Sequence, residues 1–304
     1  MIKLLKKLVL FFLAFVICDY IIGLGLDIIR NNSPDGRYFK TQYSLEKGKE
    51  DIVILGASCA ESNIAPYIIE DSLKMTCWNA GRGGQILPFW TCLEKGILNR
   101  YTPKIVILDI GANDLSGNLF PTGYERAAFL RPFYHRHKEI HPILNKIFFF
   151  EKYFDCSNLY VYNSSYYYLL RPYLFKGLDG KIADKGWKPL TGKMPPIIPH
   201  PIPIITSYNL NNETVQLFNE FISNLTTRNC KVFIVISPVF NKKIFTSPTI
   251  EYINRLNDVY LLNFGNCKIF TENSRLYRDD YHLNIEGAIK FTTLLVKRIK
   301  HEIN

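Results

Sequence analysis

No C-x-x-C pair occurs among the seven cysteines, which are odd in number and scattered. A zinc ribbon and a thioredoxin-like motif are thereby excluded, and the thiols read as small apolar packing groups. Internal repeats and disordered tracts are also lacking, and 304 residues at 47% hydrophobic suffice for one substantial core. The formal charge is +10, yet the basic residues are spread thinly, without the concentrated stripe that nucleic-acid binding needs. Only a weak attraction to anionic lipid or acidic glycan is left.

What is present at the amino end is a basic start, Lys3, Lys6 and Lys7, followed by an apolar stretch from Leu8 to Leu26. That stretch makes roughly 28 Å of helix at 1.5 Å per residue, close to a bilayer core. Asp19 interrupts it, at about 2.5 to 3.5 kcal/mol on insertion scales, a cost the surrounding Leu, Ile, Phe and Val residues offset. A membrane anchor is predicted over residues 1–30. A cleaved signal peptide is the competing reading, but no A-x-A-like site follows, and Ile17 stands where a lipidated Cys18 would have a small residue before it. The lysines before the span favour a cytoplasmic amino terminus and an exported carboxy-terminal domain, periplasmic or extracellular. Arg30, Arg37 and Lys40 after it weaken that asymmetry.

Residues 31–50, with Asn31, Asn32, Ser33, Pro34, Asp35 and Gly36, are polar and read as a linker, so that the folded domain starts near Asp51. From there, apolar runs suited to buried parallel strands alternate with helical spacing. Strands are expected at Asp51–Ala57, Met75–Asn79, Lys104–Ile110, Lys231–Ser237 and Asn266–Phe270. Helices are expected at Ala60–Lys74, Ile86–Arg100, Asn212–Thr227 and Ile285–Ile299. The alternation implies an α/β fold with a parallel sheet covered on both sides, its sites at the carboxy ends of the strands. Between about residues 116 and 208 the alternation fails, and an aromatic and proline-rich stretch (Tyr166-Tyr167-Tyr168, Pro195-Pro196, Pro199, Pro201, Pro203) reads as an inserted cap.

Four short segments carry chemistry-bearing residues, three of them where a strand gives way to its loop. They are Gly56-Ala57-Ser58, Asn79-Ala80-Gly81-Arg82-Gly83-Gly84, Gly111-Ala112-Asn113-Asp114 and Asp279-Asp280-Tyr281-His282. In this order they resemble the four blocks of the SGNH (GDSL-like) hydrolase superfamily, over most of residues 51–300 apart from the insertion. The resemblance implies a flavodoxin-like three-layer α/β/α domain. It makes Ser58 the nucleophile, His282 the base and Asp279 the orienting acid. The backbone N–H groups of Ser58 and Gly84 and the side-chain amide of Asn113 become the oxyanion donors.

The residue types suit those roles. A serine hydroxyl attacks only once a base removes its proton, a neutral imidazole does this near neutral pH, and a carboxylate stabilises the imidazolium that forms. Ala57 stands where the superfamily often has Asp, and Asp280 adjoins the assigned acid, which is chosen by spacing. An α/β-hydrolase elbow is disfavoured because Ala60 replaces its second glycine.

A serine esterase acting on O-acyl esters follows, with acylated surface carbohydrate as the substrate class and no metal or organic cofactor. An O-acyltransferase using the same site, or a non-catalytic glycan-binding or assembly protein, are the alternatives. His135, His137 and His141 form H-x-H-x3-H, but no carboxylate or cysteine completes a metal site, and a solvated basic segment is expected there. Arg82 is read as a surface charge, with capture of an anionic substrate group as its alternative.

Overall fold

A computed structural model describes residues 1–119, 122–147, 151–154, 156–163, 165–175, 184–200, 202–203, 209–244 and 247–303. Pro201 and parts of the expected cap lie outside the described residues. Five parallel strands form the main sheet and are numbered in chain order: β1 Ile52–Gly56, β2 Cys77–Asn79, β3 Ile105–Asp109, β4 Lys231–Ile236 and β5 Val259–Asn263. Their spatial order is β2-β1-β3-β4-β5, so the chain winds outward in both directions from β1 and β3. Apart from this sheet, Ile202–Pro203 pairs with Lys242–Lys243.

Every residue of β1 and β3 is buried, as expected for strands covered on both faces. Side chains alternate between two apolar clusters because successive residues point to opposite faces. Val53, Leu55, Val106, Leu108, Val232 and Ile234 meet helices Leu87–Leu98 and Asn212–Thr226, through Trp90, Leu93, Phe218 and Phe221. Ile52, Ile54, Ile105, Ile107, Phe233 and Val235 meet helices Pro66–Leu73 and Ile285–Ile303, through Ile69, Phe291 and Leu295. Helix Asn212–Thr226 is started by Asn211, whose side chain accepts from the Thr214 N–H.

Two elements differ from expectation. The helix expected over Ala60–Lys74 is two, Ser58–Asn63 and Pro66–Leu73, because Pro66 opens the second and disfavours helix at Ala65. The last strand is Val259–Asn263, which extends the sheet in register from Val232↔Val259 to Ile236↔Asn263. The segment once expected as that strand instead contains helix Lys268–Thr271.

The supposed linker is packed into the domain. Residues Gly36–Gln42 form a helix and Tyr43–Lys47 a π-helical turn. Tyr38, Lys40, Ser44 and Leu45 are buried, and Ser44 Oγ accepts from Trp78 Nε1 at 2.8 Å.

Helix Ile2–Asn31 is long and apolar enough to cross a bilayer, and its hydrophobic window is almost wholly exposed. Its second half is held by the inserted segment. The Asp19 carboxylate accepts from Ser157 Oγ and from the backbone N–H groups of Asn158 (2.9 Å) and Leu159 (3.1 Å). Close approach there requires Gly23, since a Cβ on it would lie 2.3 Å from Asn158 Cβ. Farther along, Tyr162 donates to Asp27, Tyr173 donates to the Ile29 carbonyl, and Arg30 is fully buried. Residues 2–18, about 26 Å at 1.5 Å per residue, are exposed all round. From Asp19 onward one side of the helix packs on the domain, while Tyr20, Ile21, Ile22, Leu24 and Ile28 stay exposed on the other.

Glu94, on helix Leu87–Leu98, is buried; among the described residues its Oε1 has no partner and Oε2 only a long bond (3.4 Å) from Asn224. Burial pushes its carboxyl up to about 8 from 4.5. Folding thus takes up a proton, a contribution fully present below pH about 4.5 and lost as pH rises towards about 8. Glu94→Gln should remove this dependence. Thermal unfolding at roughly pH 5 and pH 8.5 should show the variant gaining on wild type with rising pH; parallel profiles would contradict the buried acid.

Candidate active site

Because the strands are parallel, the loops after β1, β2 and β3 emerge on one edge of the sheet. At the end of β1 the backbone takes a glycine-only turn. Gly56 has φ +141°, and a Cβ on it would sit 2.5 Å from the Asp109 carbonyl oxygen. The turn places Ser58 at the first position of helix Ser58–Asn63, where its N–H has no intrahelical partner.

The loop after β2 runs alongside. Ala80 N–H donates to Ile54 O and Arg82 N–H to Gly56 O, continuing the ladder along β1 past the end of β2. Gly83 then passes over the serine, a Cβ there lying 3.5 Å from Ser58 Cβ. Its N–H donates to Glu61 Oε2 at 2.9 Å, so a carboxylate one turn beyond the serine holds this loop.

The last segment reaches Ser58 from the far end of the chain. Leu283 N–H donates to Asn63 Oδ1 (3.0 Å), and Thr292 Oγ1 both accepts from Ala65 N–H (3.0 Å) and donates to Asn63 O (3.2 Å). Gly287 lets the final helix pack closely on the turn that precedes the histidine loop, since a Cβ there would be 2.1 Å from Leu276 O. Docked so, His282 Nε2 lies 2.7 Å from Ser58 Oγ, and Nδ1 lies 2.8 Å and 3.0 Å from the two Asp279 oxygens. With Nδ1 protonated towards Asp279, Nε2 is the acceptor for the serine proton.

Burial pushes the Asp279 carboxyl up, but the N–H groups of Tyr281 and His282 and the His282 ring outweigh it and hold it below its ordinary value. It is ionised at neutral pH. Asp280 lies one position off this relay and instead offers its carbonyl to Phe240 N–H.

Cys59 is turned from the relay towards the Tyr281 carbonyl (3.6 Å). Burial, then the charges of Asp109, Asp114 and Asp279, keep its thiol well above its usual value, so it is no thiolate nucleophile. The end of β3 is close by, since a Cβ on Gly56 would also lie 3.2 Å from Asp109 Cβ. Asp109 is pushed up to about 7 by burial against the hydroxyl donated by Ser237, and Asp114 to about 6 by burial against the Gly111 N–H.

Gly84 has φ +76°, a conformation that favours glycine, and its carbonyl accepts from Arg126 (2.8 Å). Asn113 is exposed in the loop after β3. Among the described residues neither the Gly84 N–H nor the Asn113 side-chain amide is used in an internal hydrogen bond, which leaves both available as donors.

Sequence reasoning missed Glu61 and Asn63, which pin the glycine loop and the histidine segment to the helix bearing Ser58; their place on that helix was the only available signal. The H-x-H-x3-H segment is solvated only in part: His135, Arg136 and Lys138 are exposed, but two of its histidines are not free. His137 is buried between Glu46 and Glu139, and His141 stacks on Tyr134 at 3.8 Å. Among the described residues no three His, Cys, Asp or Glu side chains group as a metal ion would require. Arg82 is no surface charge either, being 5% exposed.

Compared with known proteins, the chain matches no family model and no curated sequence.

Gly56→Ala should destabilise the fold by about 2 kcal/mol or more, since the new methyl meets fixed backbone and forces an unfavourable φ. Urea denaturation measures this; an unchanged midpoint would show that the turn can relax.

Proposed function

We propose that this protein is a serine esterase of the SGNH type, acting on O-acyl esters through an acyl-enzyme on Ser58. One observation carries the reading: a hydroxyl, an imidazole and a carboxylate are aligned at 2.7 Å and 2.8 Å across the length of the chain. His282 Nε2 takes the Ser58 proton as Oγ attacks the acyl carbonyl, then returns it to the leaving alkoxide. A water activated by the same nitrogen releases the acid and restores the serine.

Ser58 N–H, Gly84 N–H and the Asn113 amide serve as the oxyanion donors. Each such donor is worth roughly 2.7 to 4 kcal/mol in the transition state. The strand order is consistent with the flavodoxin-like doubly wound class, and helices cover both faces of the sheet. The substrate class is acylated carbohydrate of the cell surface. The free part of the first helix anchors the protein in the membrane, with residues 19–304 exported.

A fluorophosphonate probe should label the wild-type protein at Ser58. Ser58→Ala should abolish labelling, and His282→Ala should slow it by at least about 100-fold, the usual range for losing a general base. Folded wild type that stays unlabelled would end the proposal. Transfer of acetyl to an oligosaccharide without appreciable acetate release would favour the acyltransferase.

Fractionation tests the anchor. Full-length protein should sediment with membranes and dissolve only in detergent. Because residues 19–31 are built into the domain, deletion of residues 2–18 should free a folded protein, whereas deletion to Asp35 should also unfold it. Soluble full-length protein, or equal stability of the two truncations, would contradict this arrangement.

A further inference from the structure

Beside the proposed nucleophile lies a cavity of about 180 Å³, walled chiefly by Arg37, Lys40, Glu61, Arg82, Gly83 and Lys188. Gly83 is the wall it shares with Ser58. Four cationic side chains thus face the single carboxylate of the lining. That carboxylate, Glu61, is already engaged by the Gly83 N–H (2.9 Å) and by Lys40 Nζ (3.4 Å).

Two of the cations are buried. Arg82 donates from Nη1 to Thr41 Oγ1 at 3.2 Å and lies over the Phe129 ring, while its buried Nε has no hydrogen-bond partner among the described residues. Lys40, 4% exposed, donates to the Gly81 carbonyl. Burial and the neighbouring Arg37 push Arg82 down to about 9, and burial pushes Lys40 down to about 8 against the pull of Glu61. Buried cations are costly unless negative charge meets them, and here the protein supplies too little. The volume, roughly that of six waters, accommodates an oxyanion with the first atoms bonded to it.

We propose that this cavity is a subsite for an anionic substituent of the substrate, a phosphate or a carboxylate, seated next to the ester that Ser58 attacks. It rests on the esterase reading and narrows its substrate class to acylated molecules that carry negative charge close to the ester. The Arg37 fork and the Lys188 ammonium reach the cavity from two different segments and supply the charge-assisted hydrogen bonds.

Two measurements on detergent-solubilised full-length protein test it. Equilibrium dialysis of Ser58→Ala against labelled inorganic phosphate should reveal one saturable site. Adding Arg37→Gln and Lys188→Gln should weaken it by at least about 10-fold, while Lys104→Gln, at the other edge of the sheet, should not. In the active protein, 4-acetoxyphenyl phosphate or 4-acetoxybenzoate should exceed neutral 4-acetoxybenzamide in kcat/KM by about 10-fold. This ratio should collapse in the Arg37→Gln/Lys188→Gln protein, and the better anion identifies the substituent.

Absence of both phosphate binding and anionic preference overturns the subsite, as does retention of both in the double variant. Fluorophosphonate labelling of the same samples separates the two readings. Labelled protein without anion selectivity sinks the subsite alone; saturable phosphate binding by unlabelled protein sustains the subsite and sinks the esterase.

Discussion

The hydrogen bond between Ser58 Oγ and His282 Nε2 joins groups separated by 224 residues, so neither local propensity nor a short turn can make it. It exists only if the final helix lies flat on the sheet and the loop before it is fixed to within tenths of an ångström. Apolar burial of Phe291, Leu295 and Ile299 supplies the adhesion. Register comes from polar contacts, with Asn63 and Thr292 tying the two ends together from within the core. Non-directional burial brings the segments near; directional bonds set the geometry on which proton transfer depends.

Much of this arrangement was legible in the sequence because its determinants are local. A buried β-branched run ending in Gly-x-Ser announces a strand edge, and a carboxylate three residues before a histidine can share one loop with it. Less legible were residues whose role depends on distant partners. Lys40 and Ser44 sit in a stretch rich in Asn, Ser, Pro and Gly that reads as solvated, yet their partners are Gly81 and Trp78 in the β2 region. Asp19 looked like a charge stranded in lipid because its donors lie 138 residues or more downstream. The final strand was misplaced by several residues because both short candidates are apolar, and pairing with β4 decides between them.

The distribution of buried charge follows a common logic. Asp109, Asp114 and Glu94 are carboxyls pushed up by burial, whereas Asp279 is held down by the N–H groups and the ring it orients. At neutral pH the acid that must be ionised for the proposed chemistry is ionised, while buried Asp109 at the sheet edge carries reduced charge.

The clamp on Asp19 has a geometric consequence. A flexible tether would let the edge that bears Ser58 range over tens of ångströms, but here the helix is tied to the domain from Asp19 onward by donors on Ser157, Asn158 and Leu159. With the free part of that helix embedded in a bilayer as proposed, the serine works at a constant height and with a constant heading relative to the lipid surface. For the proposed esterase, substrates would then have to arrive by lateral drift or be presented at that level, so reach, and not only recognition, would select among them.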